Sequence, residues 1–283
     1  MKKNIINFLL IFFVLSVFAV DWPQTSADLS AFRTQFASSR NSSLSAGVVY
    51  TNPENVKTVD AGELIFISGE SKSLGQFDSP LGNTVIILNE ENLLNIYGNL
   101  DSISIKPYQT SVLENEVIGK SGKSAWQGMD AGLEFQVADT MQKTLINPFI
   151  LFSKPAGIQL PALGNVVAVG KNGIFYDLSF TKLLPSDMYY LYCDKSDIHF
   201  PFRVTVFVNG KEVENIRYDM LNLKASRLSL NSKNDYNFEE IFPDNNRHLI
   251  SSVVLNKGKT VVMIKIFDIN GNERTFSYSF EVR

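Results

Sequence analysis

The 283-residue chain is poor in the side chains that most enzymes rely on: it has one cysteine, Cys193, and two histidines, His199 and His248. A lone cysteine can form no internal disulfide, and nothing beside it (Tyr192, Asp194) resembles the elbow of a thiol nucleophile. Upstream of Cys193 there is neither imidazole nor thiol to hold a transition metal or serve as a general base. A glycine-rich phosphate loop, G-x-S-x-G and C-x-x-C are all missing, which removes the phosphate-loop, serine-hydrolase and dithiol readings. Clustered positive charge is lacking too. With a net charge of −3 and no Lys/Arg-rich run, nucleic acid is not an expected partner. Beyond the N-terminus no stretch sustains apolar residues at a period of 3.6, so helix should be minor.

What is present is ordinary globular material, 45% hydrophobic and 19% charged, in a length that suits two domains. Met1-Lys2-Lys3 and the apolar run Ile5–Phe18 form the basic and hydrophobic regions of a signal peptide, with Val17 and Ala19 at the −3 and −1 positions. The run is short of the about 20 apolar residues of a spanning helix. Residues 1–19 are therefore read as a signal cleaved after Ala19, which places the mature chain outside the cytoplasm, in the periplasm or at the cell surface, with no membrane attachment. His199, in Asp197-Ile198-His199-Phe200-Pro201, suits a structural or surface role.

Leu29, Phe32 and Phe36 fall at helical spacing and predict a turn or two of helix within residues 27–38. From Asn55 to Leu151, short apolar runs alternate with Gly, Asn and Pro, the pattern of stacked antiparallel strands. Gly62 is assigned to a tight turn there, and residues 68–80 to a polar loop over the sheet. Residues 153–163, with Pro155, Gly157 and Pro161, read as a linker. Strands resume at 166–169, 175–180, 189–193 and 202–208. Asn209-Gly210 marks a hairpin, Lys257-Gly258 and residues 268–272 mark turns, and the last strand ends near Val282. About seven such strands suggest an immunoglobulin-like sandwich.

The first half carries an ordered set of motifs: Trp22-Pro23, Phe36, Arg40, Ser45-Ala46-Gly47-Val48-Val49, Val56 through Gly62, Gly82-Asn83, Tyr97-Gly98-Asn99-Leu100, Val117-Ile118-Gly119, Gly132-Leu133-Glu134-Phe135 and Asn147-Pro148. Across residues 22–152 this order resembles the lysostaphin/LytM family of zinc peptidoglycan endopeptidases. Their pattern reads W-P, F-G-x-x-R, H-x-G-x-D, G-N-x-V, Y-x-H-L, H-L-H-F-E and N-P. The chain ending is similar to immunoglobulin-like modules that follow such peptidases. The resemblance implies an all-β protein: a LytM-like antiparallel β domain (a duplicated hybrid motif) at residues 20–152, a linker at 153–163 and a separate sandwich at 164–283.

In that family the zinc is held by a histidine and an aspartate of H-x-x-x-D and by the second histidine of H-x-H. Two further histidines assist the attacking water. Carried over, the ligand positions are Ser45, Val49 and Glu134, and the assisting positions are Asn99 and Gly132. Val49 has no donor atom, Ser45 is a weak neutral one, and Glu134 alone is anionic, whereas catalytic zinc takes three protein ligands. The resemblance therefore implies a degenerate, non-catalytic member with no metal or other cofactor. Its groove would be floored by Ser45, Val49, Tyr97, Asn99, Gly132 and Glu134. Trp126 lies in the loop before the Glu134 strand, either as an exposed binding aromatic or as a cover for the sheet edge. The expected partner is peptidoglycan or an envelope protein, in a binding or regulatory role such as activation of cell-wall hydrolases. The alternative is a structural subunit of a larger envelope complex.

Overall fold

The computed structural model describes residues 21–25, 28–69, 79–125, 131–158, 162–196, 200–224 and 226–283. The expected signal, most of the 68–80 loop, Trp126 and His199 lie outside the described residues. No helix among the described residues is long and apolar enough to cross a membrane.

The fold is all β. The first half contributes β1 (Phe32–Thr34), β2 (Ser39–Arg40), β3 (Ser43–Leu44), β4 (Val48–Tyr50), β5 (Asn55–Lys57), β6 (Gly62–Ser68), β7 (Asn83–Leu88), β8 (Leu93–Ile103), β9 (Ser111–Val112), β10 (Val117–Ser121), β11 (Glu134–Asp139) and β12 (Thr144–Ile146). The second half adds β13 (Val166–Gly170), β14 (Phe175–Asp177), β15 (Leu183–Leu184), β16 (Asp187–Asp194), β17 (Arg203–Val208), β18 (Lys211–Lys224), β19 (Arg227–Asn231), a short helix α1 (Phe238–Ile241), β20 (Arg247–Leu255), β21 (Gly258–Phe267) and β22 (Glu273–Val282). In the first half β11 lies between β8 and β4, and β7 and β6 continue beyond β8. One face is dry: Val48, Tyr50, Val85, Ile87, Tyr97, Leu133, Phe135 and Val137 form a core closed by Trp22, Phe149 and Phe152.

The second half is a β-sandwich. The sheet β14-β13-β16-β20 faces β15-β22-β21-β17-β18. Period-two alternation turns Val166, Ala168, Tyr189, Leu191 and Cys193 inward against Val204, Val206, Ile216, Val262, Ile264 and Ile266. The Asn209-Gly210 hairpin forms as the dipeptide predicts, with φ of 49° and 81°, the two positive values that a type I′ turn needs.

One local expectation is met only in its shortest form, and two are corrected. Only Leu29–Ala31 makes a helical turn, a 3-10 one capped by Asp28, and Phe32 already begins β1. Tertiary pairing of Phe32 with Tyr50 overrides the helical spacing. Gly62 opens β6 instead of forming a turn. It is needed there because a Cβ would sit 2.4 Å from the Leu88 carbonyl oxygen. The strand expected at 175–180 stops at Asp177, whose carboxylate accepts from the Ser179 amide and starts a turn.

The two halves also interlock. β12 pairs antiparallel with β18, Leu145 opposite Leu221, so one sheet runs through both. Asn147 extends the join: its amide donates to the Asp219 carbonyl, and its side-chain Nδ2 donates to the Tyr218 carbonyl at 2.8 Å. In the reverse sense, Phe36, Ala37 and Leu44 belong to the core of the second half, while Ile269 packs against that of the first.

Candidate functional site

The site grows from β11. Opposed residues on neighbouring strands share a face, and Glu134 is opposite Val49 on β4 and Gly98 on β8. These three therefore look outward, while Phe135, opposite Val48 and Tyr97, looks into the core. Gly47 permits the close approach of β4, since a Cβ there would lie 2.1 Å from the Phe135 carbonyl oxygen and 2.7 Å from Gln136 Cγ.

The β2–β3 hairpin delivers a cation to this face. Asn41 and Ser42, with φ of 49° and 60°, turn the chain in two residues, and Phe36, Ala37 and Leu44 anchor it in the second core. Arg40 thereby reaches Glu134, Nη1 to Oε2 at 2.8 Å, with the Glu134 side chain 8% exposed and the Arg40 side chain 21%. Gln136, two residues along the same face, donates from Nε2 to Glu134 Oε1 at 2.8 Å. Both oxygens of a buried carboxylate are thus satisfied, which is the condition for burying it.

The remaining candidates serve the backbone. Ser45, buried, donates its hydroxyl to the Gly47 carbonyl at 2.9 Å. Asn99 takes φ of 62° where β8 slips register, a conformation asparagine tolerates better than most residues. Its Nδ2 donates to the Gly132 carbonyl at 2.7 Å, and its Oδ1 accepts from the Ala125 amide at 2.9 Å. Gly132, with φ of 132°, could not carry a side chain: a Cβ would lie 2.0 Å from the Tyr50 carbonyl oxygen. Arg33 bridges the same spot, donating to the Tyr50 and Ala131 carbonyls.

The structure therefore gathers Val49, Glu134, Asn99, Gly132 and Ser45 around the outer face of β4, β8 and β11. Tyr97 is not part of that face. Its ring is fully buried in the core, its hydroxyl accepts from the Val59 amide at 2.9 Å, and burial pushes the phenol well up. Glu134 finds its partners in Arg40 and Gln136, not in the hydroxyl of Ser45 or the amide of Asn99. Sequence reasoning missed both partners. Gln136 was findable from the period of two, whereas Arg40 depends on a hairpin whose placement is tertiary.

Zinc does not suit this donor set. Val49 offers nothing, the Ser45 hydroxyl is engaged, and a guanidinium already neutralises Glu134. Among the described residues no group of three or more His, Cys, Asp or Glu could hold a metal ion. His248, in the second half, is buried against Phe200 and Phe242, with Nε2 2.6 Å from the Tyr218 hydroxyl.

Fold and site together define an all-β protein whose first half has a peptidase-type arrangement of strands joined to a β-sandwich. Residues 43–148 match the model of peptidase family M23, in keeping with the lysostaphin/LytM resemblance of this segment. A second family model matches residues 160–283. Solved structures similar to the chain include the SpoIIQ–SpoIIIAH pore-forming complex, at 20% identity and TM-score 0.37 over 49% of this chain and 94% of that one. They also include the catalytic domain of the prophage-encoded M23 protein EnpA from Enterococcus faecalis, at 17% identity and TM-score 0.36 over 45% and 94%. Lysostaphin from Staphylococcus simulans aligns over 90% and 99%, at 11% identity and TM-score 0.37. No curated protein matches the chain by sequence.

Proposed function

We propose that the chain is an exported, non-catalytic envelope protein that uses the outer face of β4, β8 and β11 as a binding or regulatory surface, with peptidoglycan as its partner. The observation that carries this reading is the Arg40–Glu134 pair: a position the family pattern gives to a metal ligand is neutralised from within by a guanidinium. Ser45, Val49, Asn99, Glu134 and Gln136 are all buried, while the Arg40 side chain is 21% exposed. A ligand arriving there meets the edge of the Arg40–Glu134 ion pair, a polar patch of no net charge whose guanidinium can still donate hydrogen bonds to the peptide stems of peptidoglycan.

The test uses the purified chain with isolated sacculi. Co-sedimentation is expected, without release of muropeptides and with zinc well below one per chain by elemental analysis. One tightly held zinc per chain, or released muropeptides, would overturn the non-catalytic reading. Failure to bind sacculi, with capture of a stable envelope complex, would move the protein to the assembly-subunit alternative.

A further inference from the structure

The sheet β14-β13-β16-β20 of the sandwich carries rings on its outer face. Alternation along β16 sends Tyr189, Leu191 and Cys193 into the core, so Tyr190 and Tyr192 lie on the opposite face. Opposed residues share a face: Tyr192 is opposite Val167, and Tyr190 is opposite Val169, which is itself opposite Phe175 on β14. Phe175 is 56% exposed and Tyr190 37%, whereas Tyr189 is buried. Arg247, which opens β20, completes the row. Its guanidinium carbon lies 5.2 Å from the centre of the Phe175 ring and 5.1 Å from that of Tyr192. The Tyr192 and Tyr190 centres are 6.4 Å apart, with the rings inclined at 32°. Phe175, Arg247, Tyr192 and Tyr190 thus form a continuous strip of planar groups across the sheet. Asp244 holds Arg247, Nε to Oδ2 at 2.6 Å, and leaves the Nη groups as donors. Two more carboxylates share the face, Asp177 opposite Val167 and Asp194 opposite Arg247.

We propose that this strip binds a glycan, the uncharged β-linked amino-sugar backbone of peptidoglycan, with pyranose rings lying flat on the aromatic groups. A pyranose has apolar C–H faces and a rim of hydroxyl and amide groups. That combination matches exposed ring faces set among guanidinium donors and carboxylate acceptors. A wholly apolar partner would bury the Arg247 Nη donors and the tyrosine hydroxyls unpaired, which offsets the area it covers. An anionic polymer would meet three carboxylates, Asp177, Asp194 and Asp244, around one cation. A neutral sugar chain meets neither obstacle. The choice of peptidoglycan as its source rests on the partner proposed above, but the strip lies in the other half of the chain from the β4–β8–β11 face. A shallow surface that covers one side of each sugar predicts weak binding.

The probe is chitohexaose, an uncharged β-linked chain of N-acetylglucosamine that carries no peptide. Calorimetric titration of the purified chain with it should show saturable binding. Tyr190→Ala should weaken that binding about tenfold, the worth of one stacked ring, and Phe175→Ala/Tyr190→Ala should abolish it. Tyr108→Ala, at an exposed ring of the first half, should leave it unchanged. Thermal melting would check that the variants fold. Should they not, hydrogen exchange on the wild type decides: chitohexaose should protect amides of β14 and β16. A wild type that does not bind, a Tyr190→Ala variant that binds as well as wild type, an equal loss in Tyr108→Ala, or exchange that ignores the sugar would each overturn the proposal. So would a dimer in sedimentation velocity that Tyr190→Ala dissolves, which would give the strip to a second copy. Sacculus binding without chitohexaose binding would overturn the glycan strip and leave the peptidoglycan reading standing. Chitohexaose binding without sacculus binding would overturn peptidoglycan as the source.

Discussion

Replacing Arg40 by alanine should destabilise the protein more than any ordinary surface change. The substitution leaves Glu134, 6% exposed, with Gln136 as its one remaining side-chain partner. Removing one member of a buried ion pair costs about 3–5 kcal/mol, because the other charge stays behind desolvated. The Arg40 side chain is 21% exposed, so water can enter the gap and the lower end applies, about 3 kcal/mol. For a chain of this size that corresponds to roughly 6–12 °C in Tm. Urea denaturation of the wild type, Arg40→Ala, Glu134→Leu and the double variant Arg40→Met/Glu134→Leu would measure it. The double variant should recover most of the loss, since an apolar pair of similar volume is often neutral against a buried ion pair. The reasoning fails if Arg40→Ala lies within about 0.5 kcal/mol of wild type, the range of a plain surface change. It fails equally if the double variant is no more stable than Arg40→Ala.

Gly132→Ala should cost at least about 2 kcal/mol by thermal melting, because the strained φ of 132° and the Tyr50 carbonyl 2.0 Å from a Cβ act together. Leu44→Ala, in the core of the second half, should cost about 3 kcal/mol and also raise hydrogen exchange around Glu134 in the first, because the hairpin that carries Arg40 loses its anchor. Burial holds His248 neutral, with its pKa lowered to about 3 from 6.5. The unfolded chain takes up that proton first, so the contribution of His248 is complete above pH 6.5 and is lost as pH falls toward 3, at up to about 1.4 kcal/mol per pH unit. Denaturation midpoints from pH 7 to 4 should show this slope, and His248→Phe should flatten it. Desolvation pushes the Cys193 thiol up to about 12, so thiol reagents should modify it only after unfolding.

Short-range chemistry is what the sequence settled without help. Alternating apolar residues produced strands at the expected places. Asn209-Gly210 closed its hairpin, and Asp268 bound the Asn270 and Asn272 amides in the predicted turn. The order of motifs from Gly47 to Asn147 identified the peptidase-like scaffold, because glycines at close approaches and residues on a fixed strand face leave a readable record. Tertiary structure decided the rest. Leu29, Phe32 and Phe36 have helical spacing, yet they part company: Phe32 stays in the first core and Phe36 enters the second. Tyr97 and Glu134 both fall within the motif pattern, but strand register sends one ring into the core and one carboxylate outward. Arg40 and Glu134 are far apart along the chain, and no local preference brings them together. They meet because a hairpin anchored in one half of the protein is held against a sheet belonging to the other, a pairing that depends on burial shared by both cores.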